Sequence, residues 1–265
     1  MFELSQWPLA DRAAIGGVLC DIDDTLTTEG GITADALQAL QSLHDAGIRV
    51  VAITGRPVGW SEPFALQWPV AAIVPENGAV ALVPSGTGLR KLYVEDEELR
   101  RRNFARLQKV AQRILSEVPG AVLARDSAGR ETDIAIDHSE FVQLPHACIA
   151  RVVRLMQDEG MNATVSSIHI NGWFGDHNKL SGARWIVREL FGRELDSELD
   201  RWVYVGDSTN DEAMFEHFPN SIGVANIRRF EAEMTHLPRY ITQGERGAGF
   251  AEVAQAILQA RLSRP

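Results

Sequence analysis

Four apolar runs along the chain stop abruptly in polar residues, and each has the length of a buried strand. Ile15-Gly16-Gly17-Val18-Leu19-Cys20 meets Asp21-Ile22-Asp23-Asp24-Thr25, and Ile48-Arg49-Val50-Val51-Ala52-Ile53 meets Thr54-Gly55-Arg56. Val70-Ala71-Ala72-Ile73-Val74 meets Pro75-Glu76-Asn77-Gly78, and Arg201-Trp202-Val203-Tyr204-Val205 meets Gly206-Asp207-Ser208-Thr209-Asn210-Asp211. Near-continuous apolar strands are those covered on both faces, which points to a parallel sheet with crossover helices. Leu37, Leu40 and Leu43 with Ala36 and Ala39 recur at helical spacing and predict the first crossover over 33–44, with Gly47 as its stop. The segment 58–68 predicts a short, proline-interrupted second crossover. In open α/β sheets ligands bind beyond the carboxyl ends of the strands, where all four polar clusters fall.

After Gly78 the pattern changes character. A hairpin is predicted over 79–94, then a long charged helix over 97–118, strands at 121–124 and 132–137, a helix between Pro145 and Gly160, and strands at 163–167 and 168–173. Helix, two strands, helix, two strands is a self-contained α+β unit. The sheet pattern then resumes with a helix over 179–191 closed by Gly192, later strands at 221–224 and 240–242, and a final helix over 250–262. The expected fold class is therefore α/β: a Rossmann-like parallel sheet core with helices on both faces, formed by 1–83 and 175–265, with an α+β cap inserted as 84–174. Insertions at the catalytic edge of a sheet commonly act as lids.

Length and composition agree with a large domain plus a smaller one: 265 residues, 45% apolar and 23% charged. No run approaches the roughly 20 apolar residues of a spanning helix, and the first dozen residues lack the basic and apolar regions of a signal peptide. Two cysteines, Cys20 and Cys148, have neither metal spacing nor the density of a disulfide scaffold, so a cytoplasmic location is expected. The net charge of −10 argues against nucleic acid as a partner and would repel a phosphate unless a local cation is supplied.

Asp21, Asp23, Asp207 and Asp211 gathered at one sheet edge would need such a cation, and Mg²⁺ suits carboxylate oxygens and phosphate chemistry. An EF-hand is excluded, because the sixth place counted from Asp21 is Leu26 and the twelfth Ile32; no P-loop pattern occurs either. With a metal present Asp21 is a candidate nucleophile towards phosphorus, and Asp23 a candidate acid and base. Thr54, with the backbone of Gly55, offers hydrogen bonds to phosphoryl oxygens, and a lysine would complete the clamp. Of three lysines against 23 arginines, Lys91 falls in the hairpin and Lys109 on the charged helix, which leaves Lys179.

Asp21-Ile22-Asp23-Asp24-Thr25-Leu26, Thr54-Gly55-Arg56, Lys179 and Gly206-Asp207-Ser208-Thr209-Asn210-Asp211 together resemble, in order and position, the four motifs of the haloacid dehalogenase superfamily of phosphatases. The insertion after the third strand resembles the branch whose α+β cap serves sugar phosphatases such as sucrose-phosphate and mannosyl-phosphoglycerate phosphatases. The resemblance implies Asp21 as nucleophile and metal ligand, Asp23 as acid/base with its carbonyl on Mg²⁺, and Asp207 as a direct ligand. It implies that Asp211 and Asn210 hold metal-bound water or the Lys179 ammonium. Asp24 stands where the family usually has Gly, and Asp tolerates positive φ better than most residues.

Strand alternation puts Ser167, His169 and Asn171 on one face of the cap and Ile168 and Ile170 on the other. That polar face either looks onto the nucleophile, where it would suit a sugar, or is a solvated sheet face. Arg56 and Asn77 either contact phosphate or sugar or brace the loops, and Trp173 and Phe174 are expected at the hinge. The expected function is Mg²⁺-dependent hydrolysis of a small phosphorylated metabolite, a sugar or glycosyl phosphate, through an aspartyl phosphate. A phosphohexose mutase of related fold and a silent metal- or ligand-binding regulator are the alternatives. Neither the oligomeric state nor the particular metabolite is written in the sequence.

Overall fold

The computed structural model describes residues 1–86 and 88–263. Its centre is a sheet in which seven strands run parallel, in the spatial order Phe2–Glu3, Tyr240–Ile241, Ser221–Gly223, Trp202–Gly206, Gly17–Cys20, Arg49–Ile53, Ala72–Val74. Alternation along the strands splits the core into two layers. Val18, Cys20, Val50, Ala52, Val203 and Val205 share one cluster with Leu40 and Leu43 of the helix Ala34–Asp45 and with Phe250 and Val253 of the helix Arg246–Leu262. Leu19, Val51, Ile53, Trp202 and Tyr204 share the other with Ala183 and Ile186 of the helix Lys179–Phe191 and with Met214 of Glu212–His217. Helices thus cover both faces, as the near-continuous apolar runs require.

The three central strands lie side by side and in register, with Val205 opposite Cys20 and Cys20 opposite Ala52. Their carboxyl ends therefore deliver Asp207, Asp21 and Thr54 to one edge. At the margin the expectation needs a correction. The hairpin Val80–Ser85 and Gly88–Tyr93, expected to open the insertion at Pro84, extends the large sheet antiparallel beyond Ala72–Val74, with Leu82 opposite Ile73. Val80, Ala81 and Leu82 are fully buried there, so the hairpin satisfies its apolar face on the core it has just left. At the other margin the short strand Phe2–Glu3 and the helix Leu9–Ala14 form where the pattern predicts no element.

Beyond Tyr93 the chain builds a separate antiparallel sheet in the order Asn162–Val165, His169–Trp173, Asp133–Asp137, Val122–Leu123. The helices Glu97–Glu117 and His146–Asp158 cover one face, where Ile134, Ile136 and Ile170 pack against Leu107, Ile114, Val152 and Leu155. The other face carries Asp133, His169 and Asn171, all buried on the side that meets the large sheet. Among the described residues no helix is long and apolar enough to cross a membrane.

Candidate active site

At the strand ends one buried ammonium sits between two buried carboxylates. Lys179 Nζ donates to Asp21 Oδ1 at 2.6 Å and to Asp211 Oδ1 at 2.6 Å. Asp211 is fully engaged: the Tyr204 hydroxyl also donates to Oδ1, and the backbone N–H groups of Asp207 and Ser208 donate to Oδ2 at 2.9 and 3.3 Å. Asp207 is engaged on one side only. Its Oδ2 accepts from Asn226 Nδ2 at 3.0 Å, while Oδ1 is buried without a hydrogen-bond partner among the described residues.

A buried carboxylate oxygen left unpaired is costly, and here Asp21, Asp207 and Asp211 each bring an oxygen within 4.8 Å of the others. Burial, together with Asp211 and Asp23, raises the Asp21 carboxyl to about 7 against the pull of Lys179. Burial and the charges of Asp21 and Asp211 hold Asp207 well above the usual carboxylate range. Burial works against the Lys179 ammonium, but its two carboxylates outweigh it and raise its pKa. A hard divalent cation meets the demand of this donor set, and the orphaned Asp207 oxygen is where the set is incomplete.

Backbone contact brings Lys179 in from a distant helix. Asn178 caps that helix, its side chain accepting from Ser181 N while the Ser181 hydroxyl accepts from Asn178 N. One turn on, a Cβ on Gly182 would lie 2.6 Å from Gly78 Cα, and one on Gly78, at φ +104°, would lie 2.3 Å from Asn178 O. Two glycines thus let the helix lie against the 76–78 turn closely enough for its first side chain to reach Asp21.

The smaller antiparallel unit, the expected cap, meets this edge through a web of charges centred on Arg56. Its Nε donates to both oxygens of Asp23 at 2.9 and 3.0 Å, Nη1 to Asp126 at 3.1 Å and Nη2 to Glu140 at 2.8 Å. Glu140 is also 2.8 Å from His169 Nε2, and these two partners hold its carboxyl down at about 2 against the upward push of burial. Arg130 reaches from the cap to Gly55 O at 2.9 Å while pairing with Asp133 and Asp126, and Asn171 Nδ2 donates to the same Gly55 carbonyl at 3.1 Å. Glu76 is buried between the two units and accepts from Val58 N of the core and from Glu131 N and Thr132 N of the cap.

The expected site residues divide accordingly. Asp21, Asp23, Thr54, Gly55, Arg56, Ser167, His169, Asn171 and Asn210 all border one narrow cavity of about 10 Å³, the space of a water molecule. Lys179, Asp207 and Asp211 do not border it and join it through Asp21. Asp23 departs from the expected acid cluster, its carboxylate being tied to Arg56 instead. Asn77 is buried, with its amide 3.5 Å from Asp133, and borders no part of that cavity. Ser167 lies in the turn before His169–Trp173, so alternation from 167 fails: Ser166 Oγ accepts from His169 N at 3.0 Å and the strand begins there. Asp24 does adopt a positive φ, 54°, and pairs with Arg246 at 2.9 Å, outside the acid cluster.

Tyr204, Asn226, Arg130, Asp126, Asp133, Glu76 and Glu140 were not singled out by sequence. Glu76 stands inside the quoted Pro75-Glu76-Asn77-Gly78 run, and the i,i+3 spacing of Arg130 and Asp133 was a readable signal. For Tyr204 and Asn226 no local pattern marks the role.

A family model described as haloacid dehalogenase-like hydrolase matches residues 18–117, a stretch containing the Asp21 and Thr54 strand ends. That stretch of the chain is similar to the haloacid dehalogenase-like hydrolases. The chain is 25% identical over 260 residues to a phosphoglycolate phosphatase of Pyrobaculum neutrophilum, covering 94% of this chain and 98% of that one. Its fold is similar to a solved Thermoplasma acidophilum protein at a TM-score of 0.71 and 16% identity, covering 92% and 98% of the two chains. It is also similar to a sucrose-phosphatase from Synechocystis at 0.62 and 17%, covering 91% and 97%.

The segment returning from the smaller unit to the large sheet carries His177, which is buried, stacks on Trp173 at 5.7 Å and accepts the Trp173 indole N–H on its carbonyl at 2.8 Å. Burial pushes its imidazole down to about 4, Asp176 opposing weakly. The unfolded chain therefore binds a proton that the folded chain refuses between about 6.5 and 4, and stability falls as pH falls through that window. The expected loss from this group is about 3 kcal/mol. Urea melts of wild type and His177→Phe across pH 4–7 test it, the variant being expected to show the shallower acid slope.

Proposed function

We propose that the chain is a Mg²⁺-dependent phosphomonoesterase acting on a small sugar or glycosyl phosphate through an aspartyl phosphate on Asp21. The observation that carries this reading is the strand-end Asp21 held 2.6 Å from Lys179, with the unpaired Asp207 oxygen in the same buried cluster. Asp21 and Asp207 would hold the ion, and Asp211 would orient Lys179 and the backbone around it. When bound, Mg²⁺ supplies positive charge that relieves repulsion between Asp21 and the phosphoryl oxygens.

Asp21 Oδ attacks phosphorus as the bond to the leaving oxygen breaks, and Asp23 gives that oxygen its proton. Asp23 then takes a proton from the water that attacks the aspartyl phosphate, which frees phosphate and restores the Asp21 carboxylate. Lys179 and the Thr54 hydroxyl face the transferring oxygens. Because Arg56 clasps Asp23, the pair must part for proton transfer; Asp126 and Glu140 keep Arg56 neutralised as it does.

A leaving group larger than water requires the cap to draw back. The space it would occupy adjoins a cavity of about 350 Å³ lined by Asp23, Asp24, Glu29 and Glu140 against Arg56 and Arg246. Both arginines are already paired to those acids, so the wall is net negative and suits hydroxyls better than a carboxylate. The expected order of turnover is sugar phosphates above phosphoglycolate. Phosphate release from a sugar-phosphate panel with Mg²⁺, and its loss with EDTA, tests the reading. A folded protein that releases no phosphate from any member would overturn it, and isomerised sugar phosphate in place of phosphate would mark a mutase.

A further inference from the structure

At the end of the sheet opposite the catalytic edge, four arginines from four separate stretches of chain line one cavity of about 300 Å³. Arg49 opens the strand Arg49–Ile53, Arg201 immediately precedes Trp202–Gly206, Arg193 follows the helix Lys179–Phe191, and Arg261 lies in the last turn of Arg246–Leu262. Ala13, Ala14, Gly16, Gly47 and Trp202 complete the wall, and among the described residues no acid lines it. This runs against the charge of the whole chain, which is −10.

The four cations play two parts. Arg261 donates to Ala46 O and Ile15 O, both at 2.9 Å, and Arg193 pairs with Glu198, so these two are fixed in the wall. Arg49 lies over the Phe191 ring at 4.6 Å, and both it and Arg201 are exposed. Neither forms an ion pair among the described residues, although the same molecule pairs arginines with acids at many other surface positions. Like charges converging on a concave, acid-free wall repel one another, and an anion relieves that repulsion. Guanidinium forks match phosphate oxygens two at a time.

We propose that this basal cavity is a second binding site, separate from the catalytic centre, for a small multiply charged phosphate-bearing anion. Bound there, the anion would bridge Arg49 and Arg201 and tie together the starts of Arg49–Ile53 and Trp202–Gly206, strands whose far ends lead to Thr54 and Asp207.

Pyrophosphate titrated calorimetrically into the protein, with Mg²⁺ and orthovanadate present to fill the catalytic centre, tests the proposal. Wild type is expected to bind pyrophosphate and to melt at a higher temperature in its presence. The Arg49→Ser/Arg201→Ser pair is expected to bind at least about ten-fold more weakly, with p-nitrophenyl phosphate turnover and circular dichroism unchanged. Arg49→Lys/Arg201→Lys, which keeps the charges and loses the forks, is expected to fall between. Loss of all pyrophosphate binding on filling the catalytic centre, or equal affinity in wild type and the serine pair, would overturn it.

Discussion

Asp21→Asn is expected to abolish phosphate release, with kcat lower by on the order of 10⁴-fold or more, the scale for removal of a covalent nucleophile. The amide is nearly isosteric but cannot attack phosphorus. It also removes one of the two anions around Lys179 and relieves the crowding of Asp21, Asp207 and Asp211, so the fold should persist and even gain stability. Stability by urea melt and turnover by phosphate release therefore move apart. Steady-state turnover near the wild-type rate would remove Asp21 from the chemistry. A variant that loses activity only because it unfolds would leave melting curves that show it, and Asp21→Glu, equally inactive but still charged, then carries the test.

Arg130→Met is expected to destabilise the protein by about 3–5 kcal/mol, because it leaves a buried charge without its partner. Arg130 is almost wholly buried, as is Asp133, and the pair meets at 2.7 Å. The same guanidinium holds Asp126 at 3.2 Å and the Gly55 carbonyl at 2.9 Å, next to Thr54. Loss of that bond frees one of the cap's grips on the core, so KM should rise along with the fall in stability. Arg130→Met combined with Asp133→Leu should recover part of the loss, since the stranded anion is then gone. Chemical denaturation of wild type and both variants checks this, and a single variant within about 1 kcal/mol of wild type would show that the pair bears little on the fold.

Much of the core is legible in the sequence, for an identifiable physical reason. Apolar runs that end in carboxylates specify both a buried strand and the edge at which its ligand sits, so Asp21, Thr54 and Asp207 could be placed from local pattern alone. Lys179 was reachable by elimination among three lysines, but its contact with Asp21 depends on Gly78 and Gly182, whose significance is only the closeness of two backbones.

The edges of the reading failed where a pattern has two ways to be satisfied. An apolar hairpin can bury its face on either of two sheets, and Val80–Ser85 chose the one already formed. The sequence leaves Arg56 as a substrate ligand or a brace; in the structure it pairs with three carboxylates from widely separated chain positions, which no local pattern marks.

What the sequence determined by itself was the set of strands, their ligand-bearing ends and the chemical class of the acids gathered there, because periodicity and the cost of burying charge act over a few neighbouring residues. What only the tertiary structure decided was the pairing among those charges: which acid holds Lys179, which is clasped by Arg56, and which oxygen of Asp207 is left open. Coulomb attraction and hydrogen bonding act across space, between residues up to 158 positions apart in the Lys179 and Asp21 pair, and no local pattern records so distant a partner.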